Sequence, residues 1–222
     1  MSFQNLMVID PAIKTPEIES YNEISLRCNI NTTYHLPKIH SPNSMKKHIN
    51  NACGIILMGS AASVHDSFHW LNNIKEIIEI GIKNRIPILG ICFGHQFLAH
   101  LFGGTVDYLW NTTKKRGIRR IQILENNRLN NTQEDYLIYS HQEGVTKCPE
   151  NFDVFATSSM VKIEAIVHKH LPIWGFQPHI EASKTFAQRI GVSEKQFSKT
   201  QSLSVLLLES FLNKVQDGSH EI

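Results

Sequence analysis

Three short apolar runs in the first half of the chain constrain its fold most strongly. They occupy residues 5–10, 54–58 and 86–91 and have the sequences NLMVID, GIILM and IPILGI. Nearly continuous apolar runs of this length, each followed by turn residues, are typical of strands that are covered on both faces. Strands of this kind belong to parallel sheets, so the first half of the chain predicts one.

A helix is predicted between the second and third runs, over residues 68–84. Apolar side chains recur there at helical spacing, and Asp66 or Ser67 can cap its start. A strand, a helix and another strand in this order form a βαβ unit, whose crossover is right-handed by default. Directly after the third run a further helix is predicted, which Gly103 and Gly104 end.

The second half of the chain has shorter β-like stretches that are separated by polar loops. They lie between residues 105 and 177 and have the sequences RRIQIL, YLIYS, DVFAT, IEAIVH and IWGFQ. This pattern predicts an antiparallel extension of the sheet, and two further helices are predicted at residues 182–190 and 202–215. The sequence therefore predicts one α/β domain over residues 1–222, a three-layer sandwich with a mainly parallel central sheet.

The composition argues against several classes of protein. The 22 basic and 20 acidic residues leave a net charge of +2, which provides no basic field for a nucleic-acid backbone. The cysteines at positions 28, 53, 92 and 148 include no CxxC pair and are too sparse for a disulfide framework. No apolar run approaches the roughly 20 residues that cross a bilayer, and the start of the chain lacks the features of a secretory signal. We therefore expect a cytoplasmic protein without nucleic-acid or membrane partners.

Cys92 lies at the junction of the third strand and the following helix, in the sequence GICFG at residues 90–94. This G-x-nucleophile-x-G pattern is typical of a nucleophile elbow, in which flanking glycines avoid collisions in a tight turn. Amides at the start of the helix favour negative charge on the sulfur. A cysteine that only packs at a strand end is the alternative, and the strand and helix around Cys92 argue against it. The other three cysteines lack this setting and are expected only to pack.

His179 and Glu181 provide the base that a thiol nucleophile requires. His179 follows the predicted strand IWGFQ, and in extended backbone Glu181 points to the same face roughly 7 Å away. A carboxylate there can hold the tautomer of the imidazole and stabilise its charged form. Taken alone, a His-x-Glu sequence is more typical of a solvated loop, so this assignment depends on the presence of Cys92.

The other histidines have weaker claims to chemistry. His65 and His69 have a spacing compatible with a metal ion, but no carboxylate or cysteine completes a site, so we expect surface residues and no metal. His168 and His170 are expected in a loop after a strand. His95 is expected to cap or line the elbow helix and is too close to the turn to act as the base.

Residues 90–106, GICFGHQFLAHLFGGTV, resemble the nucleophile segment of the class I glutamine amidotransferases, especially the glutaminase domain of GMP synthase. The sequence QPHIE at residues 177–181 is similar to the family's QFHPE signature. ILMGSAASVHD at residues 56–66 and YSHQEGV at residues 139–145 resemble its ILSGGPxS and SHGD segments. The resemblance implies the flavodoxin-like architecture of this family and a catalytic triad of cysteine, histidine and glutamate.

The resemblance also implies roles for residues around the triad. Gly59 and Phe93 would donate backbone N–H groups to the developing oxyanion. Gln96 would hold the substrate, and the backbone around Ser140 and His141 would contact its amino-acid end, although these two residues could equally be ordinary turn residues. The implied substrate is glutamine or a related γ-glutamyl amide, with no cofactor.

Three positions depart from the family pattern. In the segment that resembles ILSGGPxS, Ser60 and Ala61 stand where the family has its second oxyanion glycine and the following proline. In the segment that resembles QFHPE, Ile180 stands in place of the proline. These changes leave the triad in place but alter the loop beside the oxyanion site and the wall of the pocket. Efficient turnover of free glutamine therefore does not follow from the resemblance.

Three functions remain open at this point. The chain could release ammonia for a separate synthetase chain, since it has no P-loop pattern. The helix at residues 202–215 could dock that partner through Leu206, Leu207 and Phe211, or it could instead cover the chain's own sheet. It could instead be a free-standing hydrolase of a γ-glutamyl or other small amide. A binding or regulatory protein without turnover is the third possibility, which the intact cysteine, histidine and glutamate set disfavours.

Overall fold

The computed structural model describes residues 4–124 and 134–217; residues 1–3, 125–133 and 218–222, which the predicted domain includes, lie outside the described part. The strands are β1 (Asn5–Ile9), β2 (Asn31–His35), β3 (Ala52–Leu57), β4 (Ile88–Ile91), β5 (Thr105–Tyr108), β6 (Lys115–Ile123), β7 (Glu134–His141), β8 (Glu143–Lys147), β9 (Phe152–Thr157), β10 (Ala165–His168) and β11 (Ile173–Phe176). The helices are α1 (Ile18–Leu26), α2 (Asn43–His48), α3 (His69–Lys83), α4 (Phe93–Leu101), α5 (Lys184–Arg189) and α6 (Glu194–Gln216).

One mixed sheet of nine strands, counted over the described residues, forms the centre of the fold. Its strand order is β2-β1-β3-β4-β11-β10-β9-β6-β7. The first five strands in this order are mutually parallel, and the remaining strands pair antiparallel. Strands β5 and β8 pair antiparallel in a separate two-stranded sheet. The predicted α/β architecture, a parallel sheet with an antiparallel extension, is confirmed.

The side chains of β1 alternate between two apolar cores, one on each face of the sheet. Leu6 and Val8 belong to a core that includes α6, whereas Met7 and Ile9 belong to a core that includes α3 and α4. This division follows from strand geometry, because successive side chains point to opposite faces. Helices cover both faces, which makes three layers and explains why β1 is apolar from Leu6 to Ile9.

Helix α6 covers the sheet with its apolar side. Leu207 and Phe211 are fully buried, and the Phe211 ring lies 5.9 Å from that of Trp174 in β11. Leu206 is partly exposed. Of the two interpretations of this helix, covering the chain's own sheet is therefore the one that the structure shows. Neither α6 nor any other helix within the described ranges has the length and apolarity needed to cross a bilayer.

Helix α6 also begins earlier than the predicted residue 202. Its first residue is Glu194, because Ser193 and Gln196 form a capping box. In this motif the serine side chain accepts a bond from the amide of residue 196, while the glutamine side chain accepts one from the amide of Ser193.

The start of α3 corrects a second expectation. The helix begins at His69, and no side chain caps it. The expectation that Asp66 or Ser67 caps this helix is wrong. The Asp66 carboxylate instead accepts a hydrogen bond of 2.8 Å from the Ser63 N–H, which stabilises the turn that precedes the helix.

The segment between β1 and β3 holds α1, β2 and α2, which the sequence pattern did not reveal. Strand β2 has the polar sequence NTTYH and lies at the edge of the sheet, where it pairs with β1 alone. An edge strand is only partly covered, so it carries no continuous apolar run for a pattern search to detect.

The position of β11 matters most for the site. The stretch IWGFQ, which forms β11, is predicted from the sequence to belong to the antiparallel extension. That prediction is wrong on one side of the strand, because β11 pairs parallel with β4. Only its other neighbour, β10, runs antiparallel to it. Parallel neighbours end at the same edge of a sheet, so the segment that follows β11 lies beside the segment that follows β4.

Candidate active site

Cys92 occupies a strained turn between β4 and α4. Its backbone has φ 52° and ψ −100°, a conformation that residues other than glycine rarely adopt. The turn packs tightly, because a Cβ on Gly94 would lie only 2.0 Å from the backbone oxygen of Leu57. The segment therefore has the geometry of a nucleophile elbow, which the glycine spacing predicted.

Backbone hydrogen bonds hold the elbow in place. The Cys92 N–H donates to the oxygen of Phe176 at the end of β11 (2.7 Å), and the Gln96 N–H donates to the Cys92 oxygen (3.1 Å). The Cys92 side chain is mostly buried but lines a pocket of about 190 Å³. The thiol is thus fixed at the sheet edge and faces a space that a small molecule can enter.

His179 and Glu181 lie in the segment after β11, beside this elbow. The His179 Nδ1–H donates to Glu181 Oε1 over 2.9 Å, and both side chains are buried. The backbone of the segment is fixed in turn, because the His179 N–H donates to the oxygen of Ile138 in β7 (2.8 Å). The carboxylate therefore sets the tautomer and the orientation of the ring.

Opposing influences act on the pKa of His179, and the net shift is upward. Burial lowers this pKa, but the negative charge of Glu181 raises it. Negative charge at Cys92 and hydrogen bonds to both partners raise it further, and together they outweigh burial. An imidazole in this environment therefore holds a proton more readily than a free imidazole does.

Gly59 and Phe93 lie beside the thiol, where the resemblance placed the oxyanion site. Phe93 is the first residue of α4, so its N–H is one of those at a helix start without a partner in the helix. A Cβ on Gly59 would lie 3.4 Å from Cys92 Cβ and 2.6 Å from His179 Cε1. Gly59 therefore packs against His179 and lies close to Cys92.

Gln96 lines the thiol pocket, and its amide group is held by the protein. Its Nε2 donates to the Glu143 backbone oxygen (2.8 Å) and to Gln177 Oε1 (3.1 Å). Gln177 in turn donates from Nε2 toward Cys92 Sγ at 3.6 Å. Sequence reasoning missed Gln177 as a site residue, although it is the first residue of the QPHIE sequence.

Ser140 and His141 differ in their relation to the pocket. Both line it, but the His141 ring is buried and its Nδ1 lies 2.8 Å from the Glu143 oxygen. Burial, above all other influences, lowers the pKa of His141 to about 3, so the ring is neutral near pH 7. His141 therefore supports the wall of the pocket through its side chain, and Ser140 presents more of its surface to the opening.

Two of the departures from the family pattern have structural consequences. The Ser60 hydroxyl donates to the Pro11 oxygen (2.7 Å) and accepts from the Ala62 N–H (3.0 Å). It thereby fastens the loop after β3 to the loop after β1. Ile180, between His179 and Glu181 in the chain, is buried in the core. Ala61 is exposed and lines the pocket.

The remaining cysteines lie outside the pocket and pack against the two cores, as predicted. Burial raises the pKa of each of these thiols, and that of Cys148 to about 11. They are therefore protonated near pH 7 and weakly nucleophilic.

The other histidines are also placed by the structure. His65 and His69 are exposed, and the described residues contain no metal-binding cluster of His, Cys, Asp or Glu. His95 is fully buried within α4, and burial lowers its pKa to about 3. The loop expected for His168 is wrong: this residue ends β10, is buried, and its Nδ1 accepts from the amides of His170 and Leu171.

Comparison with known proteins relates the chain to one family. The family model described as glutamine amidotransferase class-I matches residues 18–192. A glutamine-hydrolyzing GMP synthase subunit of Methanopyrus kandleri is 32% identical over 153 residues, which are 68% of this chain and 76% of that protein. The glutamine-hydrolyzing GMP synthase of Francisella tularensis is 35% identical over 135 residues, which are 60% of this chain and 25% of that protein.

Solved structures share the fold at low sequence identity. A glutamine amidotransferase from Methylobacillus flagellatus has a TM-score of 0.75 at 18% identity, covering 98% of this chain and 96% of that one. A glutamine amidotransferase from Thermotoga maritima has a TM-score of 0.73 at 19% identity, covering 97% of this chain and 99% of that one. These likenesses establish the architecture.

Proposed function

Because this chain belongs to the class I glutamine amidotransferase family, we propose that it hydrolyses the side-chain amide of glutamine through a γ-glutamyl thioester on Cys92. The thiol attacks the carbonyl carbon, and His179 takes the thiol proton and then donates it to the departing amine. Glu181 orients the imidazole and stabilises its charged form. Water resolves the thioester to glutamate and restores the thiol.

One arrangement supports this proposal more than any other. The buried His179–Glu181 pair, joined by a 2.9 Å hydrogen bond, lies beside a cysteine in a positive-φ turn. Backbone strain and a buried charge pair both carry an energetic cost, and such features persist mainly where function requires them. A cysteine that only packed would need neither.

The oxyanion that forms on the attacked carbonyl needs hydrogen-bond donors nearby. The backbone N–H groups of Gly59 and Phe93 serve this role in the proposal. Support comes from the position of Gly59 against His179 and close to Cys92, and from the position of Phe93 at the start of α4. Fixed donors of this kind need no reorganisation as charge develops.

The released ammonia is used by a separate synthetase chain in this proposal. The relative from Methanopyrus kandleri, of which the match covers 76%, is named as one of the subunits of a GMP synthase. The Francisella tularensis protein, of which the match covers 25%, is named as a whole GMP synthase. Copurification of this chain from its own cells would identify a synthetase partner.

Release of glutamate and ammonia from glutamine tests the proposed reaction, with the purified chain alone and with cell extract added. We expect release in the wild type, and we expect Cys92→Ala to abolish both release and covalent labelling by a glutamine-mimicking electrophile. Cys148→Ala is the matched control and should retain both. Unchanged release in Cys92→Ala would contradict the mechanism, and no release in any mixture would favour a binding or regulatory protein.

A further inference from the structure

A second, larger cavity adjoins the thiol pocket. This leaving-group cleft, as we name it, has a volume of about 480 Å³, against about 190 Å³ for the pocket that holds Cys92 and Gln96. The two spaces are adjacent. They share the following lining residues: Ser60, Ala61, Lys114 and Ser140.

The cleft lies on the side of the site where the amine departs. His179 and Glu181 line the cleft, whereas Cys92 lines the smaller pocket. In the proposed reaction His179 protonates the amide nitrogen, so that nitrogen must lie next to the imidazole. Any group attached to the nitrogen would therefore extend from His179 into the cleft.

The cleft is larger than ammonia requires. A water-sized molecule takes up roughly 30 Å³, a small fraction of the space beside His179. Part of the lining is apolar, from Ala12 and Ile13 after β1 and from Phe186 and Ile190 at α5. A short aliphatic chain on the departing nitrogen would find both room and apolar contact there.

The charged groups of the cleft are mostly cationic. Lys14, Lys114 and Arg116 line it, and within the described residues none of them forms an ion pair. Arg116 lies on β6 directly opposite Ser140 of β7, which places it at the junction of the two spaces.

The acidic residues of the cleft do not cancel this positive charge. Glu17 pairs with Arg189, and Glu181 pairs with His179, so both carboxylates already have cationic partners. The unpaired cations therefore leave the cleft with a net attraction for anions.

We propose that the cleft binds a carboxylate on the departing amine, so that the chain also hydrolyses γ-glutamyl amides of short amino acids. The proposal rests on the proposed function, because it uses the same attack by Cys92. The Sγ–C bond forms and the C–N bond breaks, and the amine leaves with a proton from His179. Water then cleaves the thioester to glutamate and the free thiol.

Two substrates that differ only in charge test this proposal. They are γ-glutamyl-β-alanine and its primary amide at the β-alanine carboxyl, with glutamine as the third compound and glutamate release as the readout. We expect kcat/KM for the carboxylate to exceed that for the amide about tenfold, from a few partly exposed charge contacts. The preference should weaken at high salt, because the cations are exposed.

Variants locate the origin of the preference. The double variant Lys14→Gln/Arg116→Gln should bring the ratio of the two kcat/KM values close to one. Lys195→Gln, which removes an exposed charge on α6, should keep the wild-type ratio. Equal kcat/KM values in the wild type, or a ratio that survives in the double variant, would overturn the proposal.

Binding to Cys92→Ala provides a measurement that does not need turnover. Calorimetric titration should show tighter binding of γ-glutamyl-β-alanine than of its amide, with the difference lost when Lys14→Gln/Arg116→Gln is added. If no glutamate is released from any of the three compounds but the binding difference is present, the proposed hydrolysis is refuted and carboxylate binding by the cleft is still supported. Hydrolysis of glutamine without any kinetic or binding preference would refute the cleft alone.

Discussion

Gly59 and His179 lie in direct contact, with no space for a side chain between them. A Cβ built on Gly59 would be 2.6 Å from His179 Cε1 and 3.4 Å from Nδ1. The imidazole is itself held by Glu181 and by its buried surroundings, so it cannot yield freely. The loop after β3 therefore fixes one limit of the position of the proposed base.

Gly59→Ala should displace the imidazole without removing any proposed catalytic group. We expect kcat to fall about 100-fold, because a shift of roughly an ångström in a reacting group costs about this much. Electrophile labelling of Cys92 should persist at a reduced rate, and the thermal unfolding midpoint reports whether the fold survives. Wild-type kcat in a folded Gly59→Ala variant would contradict the close packing of this site.

His179→Ala and Glu181→Gln should differ in severity. Loss of His179 removes proton transfer, so we expect kcat/KM to fall about 10⁴-fold or more. Glu181→Gln keeps a hydrogen-bond partner for Nδ1 and removes only the charge, so its loss should be roughly 10- to 100-fold smaller. Steady-state kinetics on glutamine measures both. A loss in Glu181→Gln that equals or exceeds that in His179→Ala would mean that the carboxylate does more than orient the ring.

The raised pKa of His179 predicts how charge in the site depends on pH. Burial lowers this pKa, but Glu181 and, to a smaller extent, Cys92 raise it by more. We therefore expect Glu181→Gln to lower the pKa of His179, and Cys92→Ala to lower it less. NMR titration of the His179 ring measures these shifts. A midpoint at or below about 6.5, the value of an unperturbed histidine, in the wild type would contradict the prediction.

The same shift has a consequence for stability. A folded-state pKa above the unfolded value stabilises the fold fully below the unfolded pKa, and this stabilisation is lost as pH rises through the folded pKa. Urea unfolding of the wild type and of Glu181→Gln measures this. The difference between their free energies of unfolding should shrink as the pH is raised from about 6.5 into the alkaline range.

A buried ion pair behind the site should be sensitive to loss of one partner. Arg119 Nη1 donates to Glu164 Oε1 over 2.9 Å, and both side chains are almost inaccessible. Glu164→Leu leaves the guanidinium unpaired, so we expect a loss of about 3–5 kcal/mol in the free energy of unfolding. Arg119→Met in addition should recover much of it, because no buried charge then remains.

An exposed ion pair provides the control for this comparison. Lys46 and Glu76 lie 2.8 Å apart with about half of each side chain exposed, so Glu76→Gln should change the free energy of unfolding by about 1 kcal/mol or less. Similar losses in Glu164→Leu and Glu76→Gln, measured by urea titration, would mean that the buried pair is not energetically special.

Local sequence patterns determined those parts of the fold that depend on residues close together along the chain. Continuous apolar runs identified β1, β3 and β4, because strands covered on both faces need apolar side chains on both. The glycines around Cys92 identified the elbow, because only they allow so tight a turn. Polar edge elements such as β2 carry no such signal, and their pairing depends on a partner strand distant in the sequence.

The sequence by itself therefore determined the α/β class, the elbow at Cys92 and the identity of His179 and Glu181 as its candidate partners. Only the tertiary structure decided that β11 pairs parallel with β4, which places these partners beside the thiol. It also decided that Lys14, Arg116 and His179 line one cleft. Strand pairing and cavity walls arise from residues far apart along the chain, and their contacts depend on the packing of the whole fold.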